Sequence, residues 1–187
     1  MGCVRMAFLS QIEQWRTVDA FNNHLLQHAP VVSSWATGVV IHHTWKPTPA
    51  QWRGKSTMNA IQQYYMNKKP VWNAAPHLFI VSGSPDASND GIWQMTPLNE
   101  RGIHAGAWNS THWGIEVVGN YDAESWSPAT RALVYGAITS LFRWRSIPYN
   151  RFAIIGHRET GSKKTCPGKC IDMNQIRGDM QQILGGA

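Results

Sequence analysis

With 187 residues, 43% of them hydrophobic and 15% charged, the chain has the composition of one globular domain with its own core. It is not a disordered segment, and it is too short for two full-sized domains. A net charge of +6 favours an anionic partner such as a nucleic acid, a membrane surface or a cell-wall polymer, but no run of five or more Lys/Arg supports nucleic acid.

Three cysteines, Cys3, Cys166 and Cys170, cannot all pair, so no disulfide framework is expected. The opening MGCVRMAFLS lacks the apolar stretch of a secretory signal, and no later run has transmembrane length. The expectation is a soluble cytosolic chain without a signal peptide. Most of the ten tryptophans are expected in the core, with some left to stack on sugar rings or bases.

In chain order, residues 11–28 place Ile12, Trp15, Val18, Phe21 and Leu25 at helical spacing and predict an amphipathic helix. GVVIHH at 38–43 predicts a strand. STMNAIQQYYMNK predicts a helix capped by Ser56 or Thr57. HLFIVS at 77–82 and GIWQM at 91–95, joined by a polar turn-rich loop, predict a hairpin. WGIEVVG at 113–119 is another strand. Ser127 and Pro128 mark the start of a helix running through SLFRW. FAIIGH is again a strand, and residues 173–184 form a last helix. Strands and helices mix along the whole length, so the fold class is α/β with one central sheet.

The chemistry gathers near the C-terminus. An apolar run delivers His157, and Cys166 follows nine positions later, before Pro-Gly. Zinc takes nitrogen and sulfur ligands, and catalytic sites use three protein ligands plus an open position. The strand VVIHHT offers a third. Side chains alternate across a strand, so only one of His42 and His43 can join, and composition does not choose between them.

VVIHHT, HLFIV, HAGAWN, WGIEVVGNYD and IIGHRE…KTCPG occur in an order and spacing that resemble the zinc-dependent N-acetylmuramoyl-L-alanine amidases of the second type. That family shares its fold with phage lysozyme-type amidases and animal peptidoglycan recognition proteins. The likeness covers residues 35–185. It implies an amidase catalytic domain at 35–187, with a mixed sheet flanked by helices, and a helical extension at 1–34.

By this resemblance His42, His157 and Cys166 are the ligands of one zinc per chain. Some catalytic relatives carry aspartate at the last position and many recognition-only relatives a non-ligand, so Cys166 argues for an enzyme. Cys170 and Asp172 are its rivals as third ligand. Where several relatives place a catalytic tyrosine this chain has Pro76, but Glu116 stands where another branch, including the cytosolic recycling amidases, places a catalytic glutamate. An unpaired charge inside an apolar strand is costly, which a polar site at the sheet face would explain. Lys164, two residues before Cys166, matches the family's catalytic lysine, and Lys163 is expected to be solvated.

His104, Asn109, Trp45 and Trp108 are the implied substrate-binding residues, with Trp72 as a further groove wall. His77 has a structural role as its better reading. The implied reaction is hydrolysis of the amide between N-acetylmuramic acid and L-alanine in peptidoglycan. Glu116 would take the proton of the attacking water, and Lys164 would stabilise the oxyanion. The expected setting is a phage or prophage endolysin acting on the cell wall. The alternatives are a cytosolic cell-wall recycling amidase or a peptidoglycan-binding protein without catalysis. Nucleic acid is not an expected partner.

Overall fold

A computed structural model describes residues 8–9, 11–28 and 35–185. Among the described residues six strands form one sheet: β1 (Glu13–Trp15), β2 (Gly38–His43), β3 (Leu78–Val81), β4 (Gly91–Gln94), β5 (His112–Val117) and β6 (Ile154–Gly156). Their spatial order is β1-β4-β3-β5-β2-β6. The hairpin β3–β4 and the edge pair β1–β4 are antiparallel, whereas β3–β5, β5–β2 and β2–β6 are parallel. The sheet is therefore mixed, as expected. Helices α1 (Val18–Gln27), α2 (Lys55–Met66), α3 (Pro128–Arg145) and α4 (Met173–Gly185) complete the domain.

Alternation along the strands sorts the core into two layers. Val39 and Ile41 of β2, Leu78 and Ile80 of β3, and Ile115 and Val117 of β5 face one way. They pack with Phe21 and Leu25 of α1, Val134, Ile138 and Leu141 of α3, and Met180 of α4. Phe79, Val81 and Trp93 face the other way and meet Trp52 and Met58, the latter from α2. Helix α2 covers this second face, with Phe8 and Ile12 packed beside it. Beyond it the carboxyl ends of β2, β5 and β6 are left open.

Two element boundaries differ from the sequence expectation. The helix expected over 11–28 begins only at Val18, because the Thr17 Oγ1 accepts from the Ala20 amide at 3.1 Å and caps it. Upstream, Glu13–Trp15 is strand β1. Ile12 packs into the α2-side layer and Trp15 into the other, an arrangement that a single apolar helical stripe does not allow. The first segment thus extends the sheet with β1 and packs α1 on α3.

Helix α2 starts at Lys55, ahead of the expected Ser56 or Thr57 cap. Its N-cap is Gly54, with φ +58°, where a Cβ would lie 2.2 Å from the Asn89 Oδ1. Thr57 instead accepts from the Arg53 amide at 2.8 Å. Helix α3 begins as its sequence predicts, with the Ser127 hydroxyl accepting from the Thr130 amide at 3.0 Å and Pro128 in the first turn. Among the described residues no helix is long and apolar enough to cross a membrane. Cys3 lies outside the described residues.

Candidate metal centre and active-site groove

The three parallel strands β2, β5 and β6 end side by side, which is where open α/β sheets gather their ligands. Ile41 pairs with Gly156, so His42 at the end of β2 neighbours His157, the first residue of the 3₁₀ turn after β6. Their rings lie 4.4 Å apart, centroid to centroid. The loop carrying Cys166 folds back over this edge, and its Sγ lies 3.7 Å from the His42 Nδ1. One ligand atom from each of His42, His157 and Cys166 lies within 4.8 Å of the other two.

The strand alternation that the sequence left open is resolved here. His42 is buried and joins the cluster, whereas the His43 ring turns to Tyr121, whose amide donates to its Nδ1 at 3.2 Å. The backbone amide of His43 still contributes, donating to the Cys166 Sγ at 3.3 Å. The rivals lie elsewhere. Cys170 is exposed, with its Sγ on the Asp122 carbonyl, and Asp172 caps α4 by accepting from the Asn174 amide.

The donor set fits a metal such as zinc. Two imidazoles and a thiol converge on one point, and tetrahedral zinc holds N and S ligands about 3.5 Å apart, close to the observed 3.7 Å. Burial pushes the Cys166 thiol up to about 12, with the Glu116 carboxylate adding to the effect and the His43 amide opposing it. Left alone it stays a thiol at neutral pH, and a bound cation supplies the charge that makes it a thiolate. Burial also holds His42 well below the usual histidine range, helped by His104 and His157, so its ring is neutral and able to ligate.

The loop with Cys166 is pinned by groups to which the sequence reading assigned no role. Arg158 donates from its amide to the Cys166 carbonyl at 2.6 Å and from its guanidinium to Gly168 at 2.6 Å and Ile171 at 2.5 Å. Asp122 accepts from the Thr165 hydroxyl at 2.9 Å and the Lys169 amide at 2.8 Å. Both stand inside the quoted motifs GHRE and GNYD, but nothing in their spacing says that they clamp a loop. Glu159 forms a twofold contact with Arg177 of α4, at 3.0 and 3.1 Å, and accepts from the Gly156 amide at 2.7 Å. That contact anchors the turn carrying His157.

A groove of about 590 Å³ opens over the cluster. Glu116 lines it. Its Oε2 is sealed from solvent without a hydrogen-bond partner, and burial pushes its carboxyl up to about 8 despite the opposing charge of Lys164. Lys164 and Lys163 both line the groove from the Cys166 loop, and both are exposed, as expected of a solvated Lys163. Trp45 lies on the rim, 53% exposed. Trp72 stacks on Tyr65 at 5.7 Å, and Tyr64 and Tyr65 of α2 form much of one wall. Neither tyrosine stands in a motif that marks it for the groove, although Tyr65 shares a helical face with the inward-packed Ile61.

Three expected residues are engaged internally. His104 lines the groove but also sits against His42, with its Nδ1 3.1 Å from the His42 Nε2. The Asn109 Oδ1 accepts from the amides of His104 and Ala105, at 3.0 and 2.7 Å. Trp108 packs edge-on against His112 and onto the small cluster of Val40, Ala105 and Ile155. His77 is fully buried, accepting from the Gly114 amide at Nδ1 and donating from Nε2 to the Glu100 carbonyl. Pro76 beside it is buried and offers no titratable group.

Residues 33–169 match the family described as N-acetylmuramoyl-L-alanine amidase. The chain belongs to that family. Among curated proteins it is 29% identical over 149 residues to peptidoglycan-recognition protein SC2 of Drosophila simulans, covering 78% of this chain and 75% of that one. The fold is similar to that of the N-acetylmuramoyl-L-alanine amidase LysC from Clostridium intestinale, with TM-score 0.57, 20% identity, and coverage of 82% of this chain and 91% of that one. It is also similar to Drosophila peptidoglycan recognition protein SA, with TM-score 0.59, 22% identity, and coverage of 76% and 78%. Family and fold together make this chain a peptidoglycan amidase or a peptidoglycan-binding protein.

Proposed function

We propose that the protein is a zinc-dependent hydrolase that cleaves the amide between N-acetylmuramic acid and L-alanine in peptidoglycan. The observation that carries the reading is the convergence of His42, His157 and Cys166 at the floor of a groove that also holds the unpaired carboxyl of Glu116. A protein that only binds glycan has no use for a buried, unpartnered carboxyl beside three ligand-type side chains.

His42, His157 and Cys166 hold the metal. When bound, zinc supplies a Lewis acid that polarises the scissile carbonyl and acidifies water. The remaining work falls to the chain's own groups. Glu116 takes a proton from the attacking water on its carboxylate and passes it to the leaving amine of L-alanine. A carboxyl poised near neutral pH suits a group that must accept and release a proton in one cycle. Lys164, on the groove wall, stabilises negative charge gathering on the carbonyl oxygen. Trp45, Trp72 and the α2 tyrosines offer flat surfaces to the sugar rings and stem.

The setting we favour is a phage or prophage endolysin, because a chain with net charge +6 is attracted to anionic wall polymers. The second reading, peptidoglycan binding without cleavage, is favoured by the relatives named as recognition proteins. Incubating the zinc-loaded protein with intact sacculi and, in parallel, with soluble anhydromuramyl-peptide tests both points. Cleavage of sacculi supports the endolysin, and cleavage of the soluble muropeptide alone supports a recycling enzyme. Binding to either without cleavage supports the recognition reading.

A further inference from the structure

His42 has two ring nitrogens, and only one faces His157 and Cys166. A metal ligand must present a lone pair there, so the proton has to sit on the other nitrogen. What holds it there is not a carboxylate or a backbone carbonyl, the usual partners of a ligating histidine. It is another histidine.

We propose that His104 is a positioning residue that fixes the tautomer of His42, forcing His42 to ligate through Nδ1. The inference rests on the zinc reading for its purpose but not for its geometry. The His104 Nε2 lies 3.1 Å from the carbonyl oxygen of His112. A carbonyl only accepts, so this nitrogen carries the proton. Neither of the ring's hydrogen-bond partners is a carboxylate, so a largely buried neutral imidazole leaves a lone pair on Nδ1. That lone pair faces the His42 Nε2 at 3.1 Å, and two lone pairs do not meet at that distance. The His42 Nε2 therefore donates. Its Nδ1 is left as the free electron pair, 3.7 Å from the Cys166 sulfur.

Three features keep His104 in place. The Asn109 side chain accepts from the His104 and Ala105 amides and fixes the backbone of its loop. Gly114 of β5 lies under the ring, where a Cβ would come within 2.7 Å of its carbons. The His77 Nδ1 in turn accepts from the Gly114 amide and holds that strand position. The chain His112 carbonyl, His104, His42 is a directed relay of hydrogen bonds ending at the metal position.

Two measurements test this. Long-range ¹H–¹⁵N NMR of the metal-free wild-type protein, labelled at histidine nitrogens, should show His42 protonated at Nε2 and His104 at Nε2. His42 protonated at Nδ1 would overturn the inference. In parallel, Zn²⁺ affinity is measured by competition with a chromophoric chelator. His104→Leu removes the acceptor and should bind Zn²⁺ about 10–100-fold more weakly. His104→Asn keeps an oxygen near the Nδ1 position and should stay within a few-fold of wild type. Wild-type affinity in His104→Leu, or equal losses in the two variants when both are folded, would overturn it. Should His104→Leu fail to fold, the wild-type NMR measurement decides. A wild-type protein that binds no zinc sinks the zinc reading, whereas the NMR result still tests the relay itself.

Discussion

His42 and Glu116 stand opposite each other in register on the parallel strands β2 and β5, and both line the open groove at the strands' carboxyl ends. One register therefore sets the spacing between a ligand-type imidazole and an unpaired carboxyl. Glu116→Gln preserves shape and most hydrogen bonding but accepts no proton. It should fold and bind zinc as wild type does, and lose at least about a hundredfold in turnover. Near-normal turnover with zinc bound would place the base elsewhere in the groove, with Tyr65 the next group to test.

The two described cysteines separate cleanly. Cys166→Ser should lose most of its zinc, because an alcohol at neutral pH is a poor replacement for a thiolate. Cys170→Ser should keep both zinc and activity, since the Cys170 thiol is exposed and lies on the Asp122 carbonyl, away from His42 and His157. Metal analysis of the two purified variants makes the comparison, and the reverse pattern would mean that the wrong sulfur has been assigned.

Glu159 links the turn of His157 to α4 through Arg177, whose side chain is only 10% exposed. Glu159→Gln leaves that guanidinium short of a counter-charge. Because Glu159 itself is one-third exposed, the expected loss is about 2 kcal/mol, below the range for a fully buried pair. Urea unfolding of the variant should show a lower midpoint with an unchanged slope. No change in midpoint would mean that solvent already carries Arg177.

His77 predicts a pH dependence of stability. Burial holds its folded ring down at about 4, against 6.5 for the free side chain, and the hydrogen bond to the Glu100 carbonyl only partly offsets this. Between those values the unfolded chain holds the extra proton, so stability falls as pH falls. The contribution is present in full above pH 6.5, is lost down to pH 4, and amounts to about 3 kcal/mol. The stability of His77→Gln should therefore fall less steeply over that window than that of wild type. Parallel curves would show that His77 is not the group responsible.

Much of the fold was legible because its signals are local. The strand GVVIHH, the hairpin of HLFIVS and GIWQM, and the Ser127–Pro128 helix start follow from apolar alternation, turn residues and cap chemistry. The start of α1 was not, since Ile12 and Trp15 share a helical spacing with Val18, and only pairing with β4 makes their segment a strand. At the site, the types and spacing of His157 and Cys166 raised the expectation of a ligand cluster, whereas the choice of His42 over His43 needed the resemblance or the sheet. The contacts of Asp122 with Thr165 and of His104 with His42 join residues 43 and 62 positions apart, and those of Arg158 run to backbone carbonyls that no side-chain pattern marks. No periodicity or cap encodes such contacts, so they become visible only once the parallel strands are set side by side.

The most direct measurement is mass spectrometry of purified sacculi digested by the zinc-loaded protein, with a chelator-treated sample as control. Cleavage at the amide should release stem peptides with a free L-alanine amino terminus and leave glycan strands bearing intact lactyl carboxyl groups, and the chelated sample should release neither until zinc is restored. Zinc-loaded protein that binds the sacculi yet leaves every muramyl–L-alanine bond whole would contradict the assignment and make this chain a peptidoglycan-binding protein.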